Sequence, residues 1–163
     1  MLDDKQLSAF FERMLLAKPE RIREVVEFRM VVEPGVAALA AFRRSEEDLA
    51  RIRRLVERQK TTSPEDYAEL DAKFHMALAR ATGNEVVWEM AAVLRDLAGE
   101  SRAAPLISRD RLEASLRDHE RVLKALEDAD PEACRQAMRD HLENVGQKAG
   151  EAAQSAAGNP GRA

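Results

Sequence analysis

Residues 111–145, RLEASLRDHERVLKALEDADPEACRQAMRDHLENV, decide the fold of this chain. The first half places apolar residues at alternating spacings of four and three, the stripe of an amphipathic helix. That stripe consists of Leu112, Leu116, His119, Leu123 and Leu126. After Asp130 and Pro131, which are suited to cap and open a helix, the same spacing returns in Cys134, Met138, His141 and Val145. The stretch therefore predicts two helices that a short connection makes antiparallel neighbours.

Each helix of this predicted hairpin carries a histidine on its apolar stripe. His119 lies about 11 residues before the turn at Asp130–Pro131, and His141 lies about 11 residues after it. Because a helix rises by about 1.5 Å per residue, the two imidazoles should stand at matching heights. The sequence therefore predicts that they can meet inside the bundle.

The third histidine has a carboxylate one helical turn away. Asp71 and His75 are four residues apart in a helix expected from Pro64 to Ala81, so both lie on one face. A single histidine on an apolar stripe is ordinarily a hydrogen-bonded core residue. Here all three histidines of the chain fall on inward stripes, where polar groups need partners, and imidazole and carboxylate are ligands for divalent first-row metals. We therefore predict one metal site formed by Asp71, His75, His119 and His141.

The rest of the chain predicts further helices and no strands. An amphipathic segment covers roughly residues 4–16. Another, over residues 20–42, is interrupted at Pro34–Gly35, where we expect a break or kink and treat the segment as two half-helices. Others begin at the capping-box-like Ser45 and at Asn84. The predicted fold class is all-α, an antiparallel bundle of six to seven helices.

The length of 163 residues suits one domain with its own core. We assign this domain to residues 1–150. After Gly150 the composition turns to Ala, Gln, Ser, Gly and Pro, which is too weakly apolar to dock firmly. Residues 151–163 are therefore predicted to form a flexible C-terminal tail.

The composition excludes several kinds of partner. Lys plus Arg is 26 against 30 for Asp plus Glu, a formal net charge of −4, whereas phosphate binding needs concentrated positive charge. The basic stretch Arg43–Lys60 is interleaved with acids and is interpreted as a solvated helix face. Cys134 is the only cysteine, so it has no second thiol and is interpreted as a core residue. We expect neither a secretion signal nor a membrane span. We expect a soluble cytoplasmic protein that contacts neither a membrane nor, directly, nucleic acid.

Four motifs spread over about residues 7–149 carry a family resemblance. They are Glu27-Phe28-Arg29 leading through Val32-Glu33-Pro34 to residues 37–41, Asp71-Ala72-Lys73-Phe74-His75 with Gly83-Asn84, Asp118-His119 through Ala125-Leu126 to Asp130, and Ala137-Met138-Arg139 before His141-Leu142. In order and spacing these motifs resemble the FCD domain, the effector-binding C-terminal half of FadR-type GntR transcription regulators. The fold implied is the helical bundle of the FadR C-terminal domain.

The resemblance implies a metal-dependent sensor of small molecules. It implies that Asp71, His75, His119 and His141 bind one divalent cation per chain, zinc or nickel, whose open positions accept the carboxylate of a small organic acid. It also matches Arg29 to an arginine that reaches into the family's cavity, where the guanidinium could pair with that acid. A surface salt bridge to Glu33, four residues on, is the alternative interpretation of Arg29. Ser101 is a further candidate effector contact, and a homodimer is expected.

Family members carry a winged helix ahead of this domain, and we expect no such DNA-binding module in this chain. DNA contact would come only through a winged helix outside this sequence, whether the chain is a piece of a longer regulator or a free-standing sensor. Two other functions stay open. One is a metal-dependent hydrolase or lyase that activates water at the same four residues, and the other is a dimerisation module without sensing. No spare acid or base is identifiable beside the four ligands, so we expect a sensor and not an enzyme.

Overall fold

The computed structural model describes residues 19–98 and 109–157, with side chains over residues 23–96 and 109–147. Within these ranges it contains helices and no strand. The helices are α1 (Pro19–Arg43), α2 (Glu46–Gln59), α3 (Pro64–Ala81), α4 (Glu85–Ala98), α5 (Arg109–Glu127) and α6 (Pro131–Ala157). The predicted all-α class is confirmed, whereas the helix predicted over residues 4–16 and the candidate residue Ser101 lie outside the described residues.

The helices enclose one apolar core. Helix α1 lies along α6, α6 packs on α5, and α2 packs against both α3 and α5. The fully buried side chains at the centre include Ile52, Phe74, Leu126, Met138 and Leu142. Because α3, α5 and α6 all contribute to this core, the histidines on their inner faces are brought into one interior.

Side-chain caps fix the starts of four helices. Ser45 and Asp48 form a reciprocal capping box in which each side chain bonds the other's backbone amide, which satisfies amides that the first helical turn leaves unpaired. The other caps are Ser63 before α3, Asn84 before α4 and Asp130 before α6. These starts were expected from the sequence and are confirmed.

Helix α1 continues through Pro34 and Gly35, so the predicted break into two half-helices is wrong. An interior proline lacks an amide hydrogen and costs a helix about 3 kcal/mol. Helix α1 nevertheless packs along α6 and also contacts α3, α4 and α5, and Pro34 is itself buried. The apolar surface that a continuous helix removes from water offsets the cost of the proline.

Gly35 offers a test of helix stability, because a Cβ built at this position meets no neighbouring heavy atom within 4 Å among the described residues. Gly35→Ala should raise the free energy of unfolding by about 0.5–1 kcal/mol, since alanine lowers the entropy of the unfolded chain. Urea denaturation followed by circular dichroism measures this change. Gly146→Ala is the matched control, because its Cβ would stand 3.2 Å from Val26 Cγ1. An equal gain at both positions would contradict the explanation.

Helix α6 extends past Gly150 to Ala157, so the segment assigned to a flexible tail begins as helix. Its alanines, glutamate and glutamine favour helix formation without any apolar surface to dock. The expectation that residues 151–163 do not dock firmly stays a prediction. The boundary of the domain at residue 150 stays a prediction.

The basic stretch Arg43–Lys60, which spans α2, has acidic partners nearby. Its ion pairs join Arg44 to Glu46, Arg51 to Glu47, Arg53 to Glu127, and Lys60 to both Glu57 and Glu120. This pairing supports its interpretation as a solvated helix face. In the described ranges, none of the helices combines the length and apolarity that crossing a bilayer requires.

Candidate metal and effector site

Asp71 and the three histidines converge in the interior from three helices. Helix α3 supplies Asp71 and His75, α5 supplies His119 and α6 supplies His141, and one ligand atom from each lies within 4.8 Å of the others. His119 and His141 are 0% and 1% exposed. Two atoms bound at about 2.1 Å to one ion are at most about 4.2 Å apart, so the cluster needs only small adjustments to close around a cation. All four residues predicted from the sequence are therefore brought together.

The two histidines of the hairpin face each other, as their heights along α5 and α6 indicated. The ring centroids of His119 and His141 are 4.5 Å apart, and His75 lies 5.5 Å from the first and 5.3 Å from the second. Phe74 stacks on His119 with ring centroids 4.0 Å apart. The triangle of imidazoles is thus supported by packing on the core side.

Gln59 fixes the orientation of His119. The Gln59 amide nitrogen donates to the Leu70 carbonyl at 3.2 Å, which turns its Oε1 toward His119 Nδ1 at 2.8 Å. Because a carbonyl oxygen only accepts, Nδ1 must carry the proton and Nε2 must keep its lone pair. That Nε2 lies 3.5 Å from Asp71 Oδ1, so the nitrogen available for a cation points into the cluster.

Glu33 fixes His75 in the same way. The Glu33 carboxylate lies 2.7 Å from His75 Nδ1, while His75 Nε2 lies 3.8 Å from Asp71 Oδ1. Burial lowers the pKa of His75, against the opposing effect of Glu33 and Asp71. Burial opposes the ionised form of Glu33, but Arg29 and His75 outweigh it and hold its pKa well below the usual range. The site therefore contains a neutral imidazole on a carboxylate, the arrangement that orients metal-binding histidines.

His141 has the least satisfied polar atoms of the cluster. Within the described part of the chain neither of its buried ring nitrogens has a hydrogen-bond partner, and the Asp118 Oδ2 atom lies 3.7 Å from Nδ1. Burial would raise the pKa of Asp118, but His141, Asn144 and Arg121 outweigh it and lower the pKa. A buried imidazole without hydrogen bonds is costly, so the residues fit a cation that would bind one of these nitrogens.

Arg29 is buried beside the cluster, on the inner face of α1. Its Nε and Nη2 donate to the two Glu33 oxygens at 2.6 and 3.3 Å, and Nη2 also lies 3.3 Å from His75 Nε2. The Glu33 pairing that the sequence offered as an alternative is present, but it is interior and not a surface salt bridge. Arg29 therefore both pairs with Glu33 and reaches the candidate ligands.

A small cavity of about 30 Å³ adjoins the cluster at Glu33 and His75. It lies between α1, α3 and α4, and most of its wall is apolar. The wall includes Val32, Val36, Val87, Ala91 and Leu94. A small apolar group of a ligand could therefore lie beside the cluster without displacing the core.

Three supporting residues were missed from the sequence: Gln59, Asp118 and Glu33 in its contact with His75. The sequence did contain a signal for Gln59, because this residue follows Leu49, Ile52 and Val56 at helical spacing. The structure shows it buried, at 4% exposure. A polar residue on a buried stripe indicates a buried partner. Cys134 lies in the core, where burial raises the pKa of its thiol to about 12, in agreement with its interpretation as a packing residue.

Gln59→Leu should weaken binding of a divalent cation by about 10- to 100-fold, because it removes the acceptor that holds His119. Competition with a chromophoric chelator measures this affinity. Gln136→Leu is the matched control, since Gln136 is exposed on α6 and donates to Asp140 instead. Unchanged affinity in a folded Gln59→Leu protein would show that His119 needs no such orientation.

Comparisons with known proteins assign this chain to a family. The family model described as the FCD domain matches residues 24–144. The HTH-type transcriptional regulator LutR of Bacillus subtilis is 33% identical over 149 residues, which cover 86% of this chain and 67% of LutR. The Uxu operon regulator of Haemophilus influenzae is 28% identical over 130 residues, 75% of this chain and 48% of that protein.

A solved structure agrees with these relatives. Streptococcus agalactiae GntR superposes with a TM-score of 0.71 and 25% sequence identity, over 81% of this chain and 62% of that one. The chain thus spans between about half and two thirds of the length of these proteins. From the family match, the sequence identity and the shared helical bundle, we conclude that the chain belongs to the FCD domain family of GntR-type transcription regulators.

Proposed function

We propose that this domain senses a small organic acid through one divalent cation held by Asp71, His75, His119 and His141. The observation that carries the proposal is the buried convergence of these four side chains, with a close acceptor at Nδ1 of His119 and of His75. Nitrogen and oxygen donors without a thiolate suit zinc or nickel. Such a cation, when bound, supplies a Lewis acid to which a carboxylate can bind.

The formal charges of the cluster favour an anionic effector. Arg29 and Glu33 cancel, as do Arg121 and Asp118. The three imidazoles are counted as neutral, so Asp71 leaves one negative charge. A divalent cation would turn this into one positive charge in a buried site, which is costly unless it is balanced. One carboxylate balances it.

Arg29 supports the same ligand class. Its Nη2 now stands 3.3 Å from His75 Nε2, the nitrogen whose lone pair faces Asp71. That lone pair cannot serve both a guanidinium and a cation, so cation binding would free an Arg29 N–H in a buried place. A carboxylate oxygen is the acceptor that such a group pairs with best.

We propose that this sensing serves transcription regulation and not catalysis. The relatives are named as transcriptional regulators, which favours a sensor over the alternative of a metal-dependent hydrolase or lyase. Effector binding would shift the helices and thereby orient DNA-binding modules outside this domain. The chain itself would not read DNA.

We propose a homodimer as the working form. Large apolar side chains are exposed on α1 and α4, where an isolated domain would leave them in water. Among the described residues they are Phe28, Val31, Phe42, Val86, Trp88 and Met90. A second copy of the domain would cover such surface.

The proposal is tested by thermal unfolding of metal-loaded protein with small monocarboxylates such as acetate and butanoate. A bound acid at about 100 times its Kd should raise Tm by roughly 5–10 °C. The rise should vanish after chelator treatment and shrink in Arg29→Lys, because lysine keeps the charge but loses the planar fork. The same rise in metal-free protein would overturn a metal-dependent sensor.

A further inference from the structure

The cavity beside His75 and Glu33 restricts which acid can bind. The proposed function leaves the identity of the acid open, and this inference rests on that function. We propose that the effector is a monocarboxylate with a short, unsubstituted apolar chain. Its carboxylate would bind at the metal cluster and Arg29. Its chain would enter the cavity between α1, α3 and α4.

The wall of the cavity offers almost no partner to a ligand hydroxyl. Val32 and Val36 of α1 face Val87, Ala91 and Leu94 of α4 across it. The polar groups that line it are Glu33, His75 and Arg95. The first two are bonded to each other, and Glu33 also accepts from Arg29. A hydroxyl buried there would lose its bonds to water without replacement.

Arg95 does not change this conclusion. Its guanidinium is paired with Asp96 at 2.8 Å, and its side chain is 46% exposed. It therefore lies toward the solvent side of the cavity and is occupied by a carboxylate of the protein. A second anionic group on the ligand would meet Asp96 as well as Arg95.

The volume limits the length of the chain. A cavity of about 150 Å³ accommodates benzene, and this one measures about 30 Å³. It has room for one or two carbon atoms. Butanoate, whose carboxyl group would lie at the cluster with its terminal carbons in the cavity, fits this limit, whereas a ring or a long chain does not.

Isothermal titration of the metal-loaded protein with butanoate and 3-hydroxypropanoate tests the proposal. The two acids have the same charge and nearly the same shape, and they differ in a terminal methyl against a hydroxyl. We expect butanoate to bind at least about tenfold more tightly, because the hydroxyl is left without a partner. Octanoate should bind more weakly than butanoate, because its chain exceeds the cavity.

Two valine variants test whether the cavity wall causes the preference for butanoate over 3-hydroxypropanoate. Val36→Thr keeps the shape of the wall and adds a hydroxyl, so it should reduce the preference for butanoate several-fold while the metal content stays unchanged. Val93→Thr is the matched control, because Val93 is on α4 and partly exposed and does not line the cavity. It should leave the preference as it is.

The outcomes separate this inference from the proposed function. A metal-loaded protein that binds 3-hydroxypropanoate as tightly as butanoate, or octanoate more tightly than both, overturns the short apolar chain and leaves the sensor intact. A protein that holds metal yet binds none of these acids, acetate included, overturns both. Equal effects of Val36→Thr and Val93→Thr would show that the cavity does not cause the preference for butanoate.

Discussion

Protein purified without chelator is expected to contain about one divalent ion per chain, and the double variant His119→Ala/His141→Ala is expected to contain none. The two substitutions leave Asp71 and His75, which lie on one helical turn and hold a cation weakly on their own. Inductively coupled plasma mass spectrometry on desalted protein measures the metal content.

The control for this experiment truncates buried residues of the same two helices that are not ligands. Val122→Ala/Met138→Ala removes core volume from α5 and α6 but leaves the four donors in place. Circular dichroism checks that both double variants are folded. Metal close to one ion per chain in a folded His119→Ala/His141→Ala protein would contradict the assignment.

Glu33→Ala is expected to lower the free energy of unfolding of the metal-free protein by about 3–5 kcal/mol. The substitution strands a buried guanidinium, since the Arg29 and Glu33 side chains are only 2% and 12% exposed. It also removes the acceptor of His75 Nδ1. Urea denaturation in the presence of chelator measures the loss.

Two comparisons isolate the buried charge as the cause. Glu47→Ala removes an exposed partner of Arg51, with the Glu47 side chain 81% exposed, and should cost less than about 1 kcal/mol. Arg29→Met combined with Glu33→Leu removes both charges and should recover much of the lost stability. A Glu33→Ala protein as stable as Glu47→Ala would mean that Arg29 finds another partner.

The helical fold and the inward position of the four candidate ligands could be predicted from the sequence because both depend on local spacing. The stripes on α5 and α6 determine which face is buried, and equal distances from the Asp130–Pro131 turn set the heights of His119 and His141. The break at Pro34 was mispredicted because the continuity of α1 depends on contacts between helices and not on local spacing. The local cost of a proline is visible in the sequence, whereas the packing of α1 along α6 that offsets it is not.

The residues that contact the imidazoles from other helices, Gln59 and Glu33, could not be predicted from helical spacing. Gln59 is 60 residues from His119, and their contact depends on how α2 and α5 are rotated against each other. Glu33 was recognised only as a neighbour of Arg29 on the same helix, because the contact with His75 requires the crossing of α1 and α3. Periodicity gives the buried face of each helix but not the register between helices.

The span between Asp71 on α3 and His141 on α6 has a consequence for how the domain holds together. A cation bound by both would act as a removable crosslink that closes a long loop of chain, and the unfolded protein, with its donors far apart, would bind it poorly. Every opening that separates α3 from α6 would then require the ion to leave. The rigidity of the bundle, as amide hydrogen exchange would record it, would follow the free metal concentration around the protein.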